Sequence, residues 1–255
     1  MVRRTFGHNA GPARICVSIP IQGGEHLISA MDMFRARVGL AVLLIGAVAA
    51  GFTFLRKEAI ADSHRQARQL VLHYTLSRVD DPIILLGDSI TEASTLPREF
   101  CGHRIVNAGL NGASTASGLG PWLIDALDGR RAAAIVVSLG TNDALKARST
   151  QDFEVSYIEL LGQLAKATDH LAILAIPGID VRGRVTAEMQ AAAEARIDGF
   201  NAALPGLAAK GGASFIALPE LPMTHTIDGV HLDATGYSAW EEAILKGVST
   251  LCGPR

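Results

Sequence analysis

Five short runs rich in Val, Ile, Leu and Ala constrain this chain more than anything else in it. They are "PIILLG" (82–87), "RIVNAG" (104–109), "AAIVVSLG" (133–140), "LAILAIP" (171–177) and "ASFIAL" (213–218). Each is too short for a typical helix and too uniformly apolar for a strand with one wet face. Such runs read as strands covered on both sides. Between them lie longer amphipathic stretches, predicted helical over 114–128, 151–168, 187–210 and 235–250. Strand–helix alternation implies a parallel sheet with right-handed crossovers. The predicted fold class is therefore α/β, a five-stranded, flavodoxin-like α/β/α sandwich. In such sheets function collects at the carboxyl ends of the strands.

The front of the chain follows different rules. Val38 to Leu55 carries no charge over eighteen residues, with Arg35 and Arg37 before it and Arg56 and Lys57 after. That length is near the lower limit for crossing a bilayer. Two readings stay open: an uncleaved signal anchor, or a signal peptide cut after "AVA" (Ala47 to Ala49) or "AIA" (Ala59 to Ala61). Basic residues at both ends leave orientation open. Either reading places the remainder outside the cytoplasm, on the periplasmic side of a Gram-negative inner membrane if anchored, or secreted if cleaved. Residues 1–30 show no structural period, while Met31 and Met33 stand just before the basic flank. We therefore expect a non-native extension over 1–30, a targeting segment over 31–61 and the functional domain over 62–255. Mass spectrometry of the natural N-terminus tests the first of these.

Composition narrows the function. A net charge of -2 over 255 residues argues against a nucleic-acid partner. Aromatics at 5% supply few stacking platforms for bases or long glycans. Cys16, Cys101 and Cys252 form no C-x-x-C pair, and neither H-E-x-x-H nor a P-loop pattern occurs, so no metal or nucleotide site is indicated.

Four features stand at strand ends. Ser89, in "ILLGDSITEAS", follows the first strand by two residues. Asp88 and Ser89 could equally cap a helix. Gly109 ends the second strand in "NAGLNGAS" and would let a backbone N–H approach a ligand, or simply make a turn. Asn142, in "GTND", ends the third strand as an amide donor or a turn residue. Asp228 and His231, in "DGVHL", lie past the fifth. Asp-x-x-His lets the carboxylate hold Nδ1 and leaves Nε2 free as a base. A serine, a base with its orienter and two donors at one sheet edge are what acyl transfer requires.

With these blocks in place, the chain resembles the GDSL-like, or SGNH, hydrolases. "GDSIT" looks like the first block of that family, "NAGLNG" the second, "GTND" the third, and "DGVHL" with "DATGY" the fifth, together covering residues 81–245. Ile90 replaces the leucine of the family's name, as in acetylhydrolase-like members. No G-x-S-x-G elbow is present, which disfavours the larger α/β-hydrolase family.

The resemblance implies an SGNH-hydrolase fold and a serine esterase. Ser89 would be its nucleophile, His231 its base and Asp228 the orienter. The N–H groups of Ser89 and Gly109 and the amide of Asn142 would form its oxyanion hole, and no cofactor would be needed. It further suggests small acyl groups, such as O-acetyl on envelope sugars. An O-acyltransferase, a lysophospholipase or thioesterase, and a non-catalytic binding domain stay open. Arg182 and Arg184, in the loop after the fourth strand, could bind an anionic part of the substrate or be solvated loop residues. His225 is a candidate pocket wall. Cys101 and Cys252 should lie at the opposite sheet edge, where they could form a disulfide or stay unpaired.

Overall fold

The computed structural model describes residues 30–183 and 185–252. The chain divides into two compact units, Met1–Lys57 and Glu58–Arg255. Within the first, the described residues are helical and belong to α1, which runs from Ala30 to Leu76. The exposed, uncharged residues 38–55 make this helix long and apolar enough to cross a membrane. The extension read over residues 1–30 falls almost wholly outside the described residues.

The second unit holds a six-stranded sheet: β1 (Ile83–Gly87), β2 (Glu99–Phe100), β3 (His103–Gly109), β4 (Ala134–Ser138), β5 (Leu171–Leu174) and β6 (Ser214–Ile216). The spatial order is β2-β3-β1-β4-β5-β6. The five long strands pair in parallel, as expected from their composition. The sixth strand corrects the expected count. Glu99 and Phe100 pair antiparallel with Arg104 and His103. Cys101 (φ 53°) and Gly102 (φ 81°) make the two-residue turn between them. Positive φ at both central residues suits such a hairpin. Two residues carry too little pattern to be seen as a strand.

Alternation along each strand feeds two cores. Ile84, Leu86, Ile135, Val137 and Ile173 face a large core. Covering it are α3 (Leu119–Leu127), α5 (Thr150–Leu164), α6 (Ala187–Lys210) and, through Leu72 and Leu76, the end of α1. Ile83, Leu85, Val136 and Leu174 face a smaller core under α7 (Ala234–Gly247), filled by Trp240 and Ile244. Ser149, Thr186 and Asp233 cap α5, α6 and α7 by accepting from backbone N–H groups two or three residues on.

Helix α3 begins five residues later than the pattern suggests. Ser114 N–H donates to Ser117 Oγ at 2.8 Å, Thr115 is bound to Asp143, and Gly118 is left-handed (φ 63°). Local side-chain bonds of this kind compete with a helix start.

The end of α1 belongs to this unit, and the sequence pattern predicted no helix there. Besides burying Leu72 and Leu76, it sends the Arg68 guanidinium to the carbonyls of Asn107 and Gly109.

Cys101 and Cys252 are joined in a disulfide, with Cα atoms 4.9 Å apart. It ties the β2–β3 turn to a 3₁₀ turn, Ser249–Cys252, at the end of the sheet opposite Ser89. The bond closes a loop across 151 residues. Replacing both cysteines by serine should lower unfolding stability by about 2–5 kcal/mol and leave ester hydrolysis intact. An unchanged urea midpoint under oxidising conditions would count against that role.

Candidate active site

Strand β1 is flanked by β3 on one side and β4 on the other, so the chain reverses direction across the sheet at its carboxyl end. Open α/β sheets place their ligand crevices at such points. There Gly87 closes the strand. A Cβ on it would lie 2.0 Å from Thr91 Oγ1 and 2.6 Å from the Ser138 carbonyl, so only glycine permits the tight turn into α2 (Ser89–Glu92). Asp88 caps α2, its Oδ1 accepting from Ile90 N–H at 2.9 Å. The capping role thus falls to Asp88. Ser89 is the first helical residue, half-buried, and its N–H has no partner among the described residues. Burial pushes the Asp88 carboxyl up to about 6, against the Ile90 N–H bond and the charge of His231, with Asp143 adding to the rise. The stability it contributes when protonated is lost as pH rises from its ordinary value through about 6.

Asp228 and His231 come from a turn between β6 and α7. Thr226 and Leu232 bridge antiparallel, and Ile227 N–H donates to the His231 carbonyl at 2.8 Å. This short loop carries Asp228 and His231. Asp228 Oδ1 accepts from Val230 N–H (3.1 Å) and His231 N–H (2.9 Å), and its Oδ2 lies 2.7 Å from His231 Nδ1. His231 Nε2 lies 2.9 Å from Ser89 Oγ, across 142 residues of chain. Partial burial pushes the Asp228 carboxyl upward. The bonds from His231 and Val230 outweigh it and hold the group below the usual carboxylate range.

Asn142 enters from α4 (Thr141–Leu145) after β4. Its Nδ2 donates to the Ala113 carbonyl at 2.9 Å and stands 3.5 Å from Asp88 Oδ2. Ser89, Glu92, Ala93, Asn111 and His231 line an open cleft of about 420 Å³. A larger cavity, about 610 Å³ between β6 and α7, contains none of these residues.

Gly109 stands apart from the other expected donors. Its N–H is taken by Asn107 Oδ1 at 2.9 Å, within its own strand end. A Cβ on Gly109 would come within 2.2 Å of Glu92 N, so this glycine lets α2 lie directly on β3. Three residues on, Gly112 has φ 74° and an N–H with no partner among the described residues. It sits between Asn111, which lines the cleft, and Ala113, which receives the Asn142 amide.

A family model described as the GDSL-like lipase/acylhydrolase family matches residues 85–239. The chain belongs to that family. It is a carboxylic ester hydrolase of the GDSL type. Among solved structures it is similar to a protein of Streptococcus pneumonia described as a platelet activating factor, at 24% identity and TM-score 0.62, covering 82% of this chain and 98% of the other. It is also similar to Est24, a carbohydrate acetylesterase from Sinorhizobium meliloti (20%, TM-score 0.54, 68% and 100%), and to the M. smegmatis aryl esterase (16%, TM-score 0.55, 67% and 99%). At these identities the likeness is one of fold. A search of the curated proteins finds no match.

Set in this GDSL hydrolase, two of the expected substrate contacts change role. His225 is buried, its Nδ1 2.7 Å from the Pro222 carbonyl and its Nε2 2.9 Å from that of Gly178. Both ring nitrogens face backbone, so His225 holds loops together rather than forming a pocket wall. The Arg182 guanidinium donates to the Thr226 carbonyl and lies 3.9 Å from Asp180 Oδ1. It braces the loop that carries Asp228 and His231. Arg184 lies outside the described residues.

Three carboxylates near the site went unnoticed in the sequence. Asp143, fully buried, accepts from Thr115 N–H (3.0 Å) and Thr115 Oγ1 (2.7 Å) and so ties the segment after Gly112 to α4. Glu92 accepts from Asn111 N–H at 2.6 Å and pairs with His64 of α1 at 3.1 Å. Asp180 accepts from the His225 and Thr226 N–H groups at the start of the loop that carries Asp228 and His231. Their partners lie 19 to 46 residues away in sequence, beyond the reach of spacing motifs.

Proposed function

We propose that this hydrolase cleaves esters of small acyl groups through an acyl-enzyme on Ser89. The observation that carries the reading is the continuous run of contacts from Asp228 Oδ2 through His231 to Ser89 Oγ, 2.7 and 2.9 Å long. Ser89 Oγ attacks the ester carbonyl as His231 Nε2 takes its proton. The resulting oxyanion is held by the N–H groups of Ser89 and Gly112 and by the Asn142 amide hydrogen that otherwise makes only the long, 3.5 Å contact to Asp88 Oδ2. Gly112 replaces Gly109 in this role because the Gly109 N–H already has an acceptor. Collapse of the intermediate breaks the C–O bond, and His231 returns the proton to the leaving alcohol. Water then attacks the acyl-enzyme with His231 as base, releasing the acid and restoring Ser89.

A short acyl chain is supported by the cleft lining, where Ala93 is the one apolar residue among Ser89, Glu92, Ala93, Asn111 and His231. A location outside the cytoplasm is supported by the apolar span 38–55 and by the Cys101–Cys252 disulfide. O-acetylated sugars of the cell envelope fit both, and one fold neighbour bears the name carbohydrate acetylesterase.

A fluorophosphonate probe should label Ser89, and p-nitrophenyl esters should be hydrolysed with rates falling from acetate to octanoate. Absence of label overturns the serine mechanism. A preference for octanoate overturns the small-acyl assignment. Asn142→Ala should fold normally and lose about 10²–10³ in kcat, the usual effect of one oxyanion donor. Near-full kcat in that variant would remove Asn142 from the hole.

A further inference from the structure

The loop bearing the base is short, lies at the surface and has no regular secondary structure beyond one bridge, yet His231 must meet Ser89 within a few tenths of an ångström. What holds it comes from the segment after β5. Asp180, past the end of β5, is 3% exposed. Its Oδ2 accepts from His225 N–H and Thr226 N–H, both at 3.1 Å, and its Oδ1 accepts from Thr226 Oγ1 at 2.7 Å.

That last bond orients the Thr226 hydroxyl. With its hydrogen spent on Asp180, the oxygen presents lone pairs to Gly229 N–H at 2.9 Å. The Gly229 carbonyl accepts from Asp180 N–H at 3.0 Å. Gly229 is therefore gripped through both its polar groups, one residue after Asp228. The grip is close: with φ 99°, a Cβ on Gly229 would lie 2.9 Å from the Asp180 carbonyl and 2.7 Å from that of Arg182.

We propose that Asp180 is a positioning residue for catalysis, acting through the Thr226 hydroxyl and Gly229 to set where Asp228 presents His231 to Ser89. This rests on the serine-esterase reading above. It makes no contact with substrate and donates nothing to the reaction. Its effect is on the fraction of molecules in which Nε2 and Oγ are aligned, so it should appear in kcat rather than KM.

The test compares Asp180→Asn, Thr226→Val and Thr226→Ser with the wild type in the full-length protein. The readouts are p-nitrophenyl acetate hydrolysis and the rate of fluorophosphonate labelling. Asp180→Asn keeps the shape but offers one acceptor oxygen where two are used, and should lower kcat about 100-fold. Thr226→Val removes only the hydroxyl from a fully buried site and should lower kcat about tenfold, with KM within about twofold. Thr226→Ser restores the hydroxyl and should recover most of the loss. Labelling rates should follow kcat.

Thr226→Val with wild-type kcat, or Thr226→Ser as impaired as Thr226→Val, overturns the proposal, and these two variants decide it even where Asp180→Asn lowers stability. The two levels of failure are distinct. Wild-type protein that takes no label defeats the serine mechanism itself. Labelled wild type with unaffected variants defeats only the role of Asp180.

Discussion

Ser89→Ala should leave a folded protein whose kcat for ester hydrolysis is lower by about 10⁶-fold. The fold survives because the serine contributes little to it. Asp88 caps α2, Gly87 makes the tight turn, and Ile90 fills the core beneath. The activity should be lost because, in the proposed mechanism, Oγ is the atom that attacks. What remains comes from the oxyanion donors and substrate binding alone. The check is single-turnover hydrolysis of p-nitrophenyl acetate alongside far-UV circular dichroism. A folded variant retaining more than about a thousandth of wild-type kcat would place the nucleophile elsewhere.

Asp228→Asn should cost about 10⁴-fold in kcat with little change in KM. The carboxylate is in contact with His231 Nδ1 at 2.7 Å and accepts from two backbone N–H groups through its other oxygen. Those two donors dictate where an asparagine would put its carbonyl oxygen. Its NH₂ group would then face Nδ1 and donate to it, moving the ring proton to Nε2. His231 could no longer accept from Ser89. Geometry is kept and the tautomer is wrong, so the loss appears in the chemical step.

The same carboxylate also links to stability. Its folded-state pKa is depressed, so its contribution is present above the unfolded value and lost as pH falls through the folded one. Asp228→Asn should therefore be less stable than wild type at neutral pH and no less stable below both values. Chemical denaturation at two pH values checks the sign. A variant with near-wild-type kcat at neutral pH would remove Asp228 from the catalytic set.

How far the site was legible depended on how far apart its partners lie in the chain. Asp228 and His231 stand three residues apart, and Ser89 and Asn142 each follow a strongly apolar run, so local pattern exposes them. Gly109 and Gly112 are three residues apart in one glycine-rich stretch, and nothing local distinguishes them. The distinction arises because Asn107 turns its side chain back onto the Gly109 N–H, while the Gly112 N–H has no partner among the described residues. His225 and Arg182 sit where a pocket residue would sit in sequence. Both are drawn instead to backbone carbonyls, Arg182 to that of Thr226 and His225 to those of Pro222 and Gly178.

The sequence by itself determined the layered fold, because the hydrophobic period of a strand or helix is local and each apolar run must be covered. It also placed the candidate residues at one edge, since each follows a strand of one parallel sheet. The tertiary structure alone decided which N–H groups lack a partner among the described residues, which carboxylates bind the Asp228–His231 loop, and that α1 continues as a helix to Leu76. Hydrogen bonds are directional and saturable, so a donor's role depends on which distant acceptor reaches it first in three dimensions. For Asp180 that partner is 46 residues away, and for Ser89 it is 142.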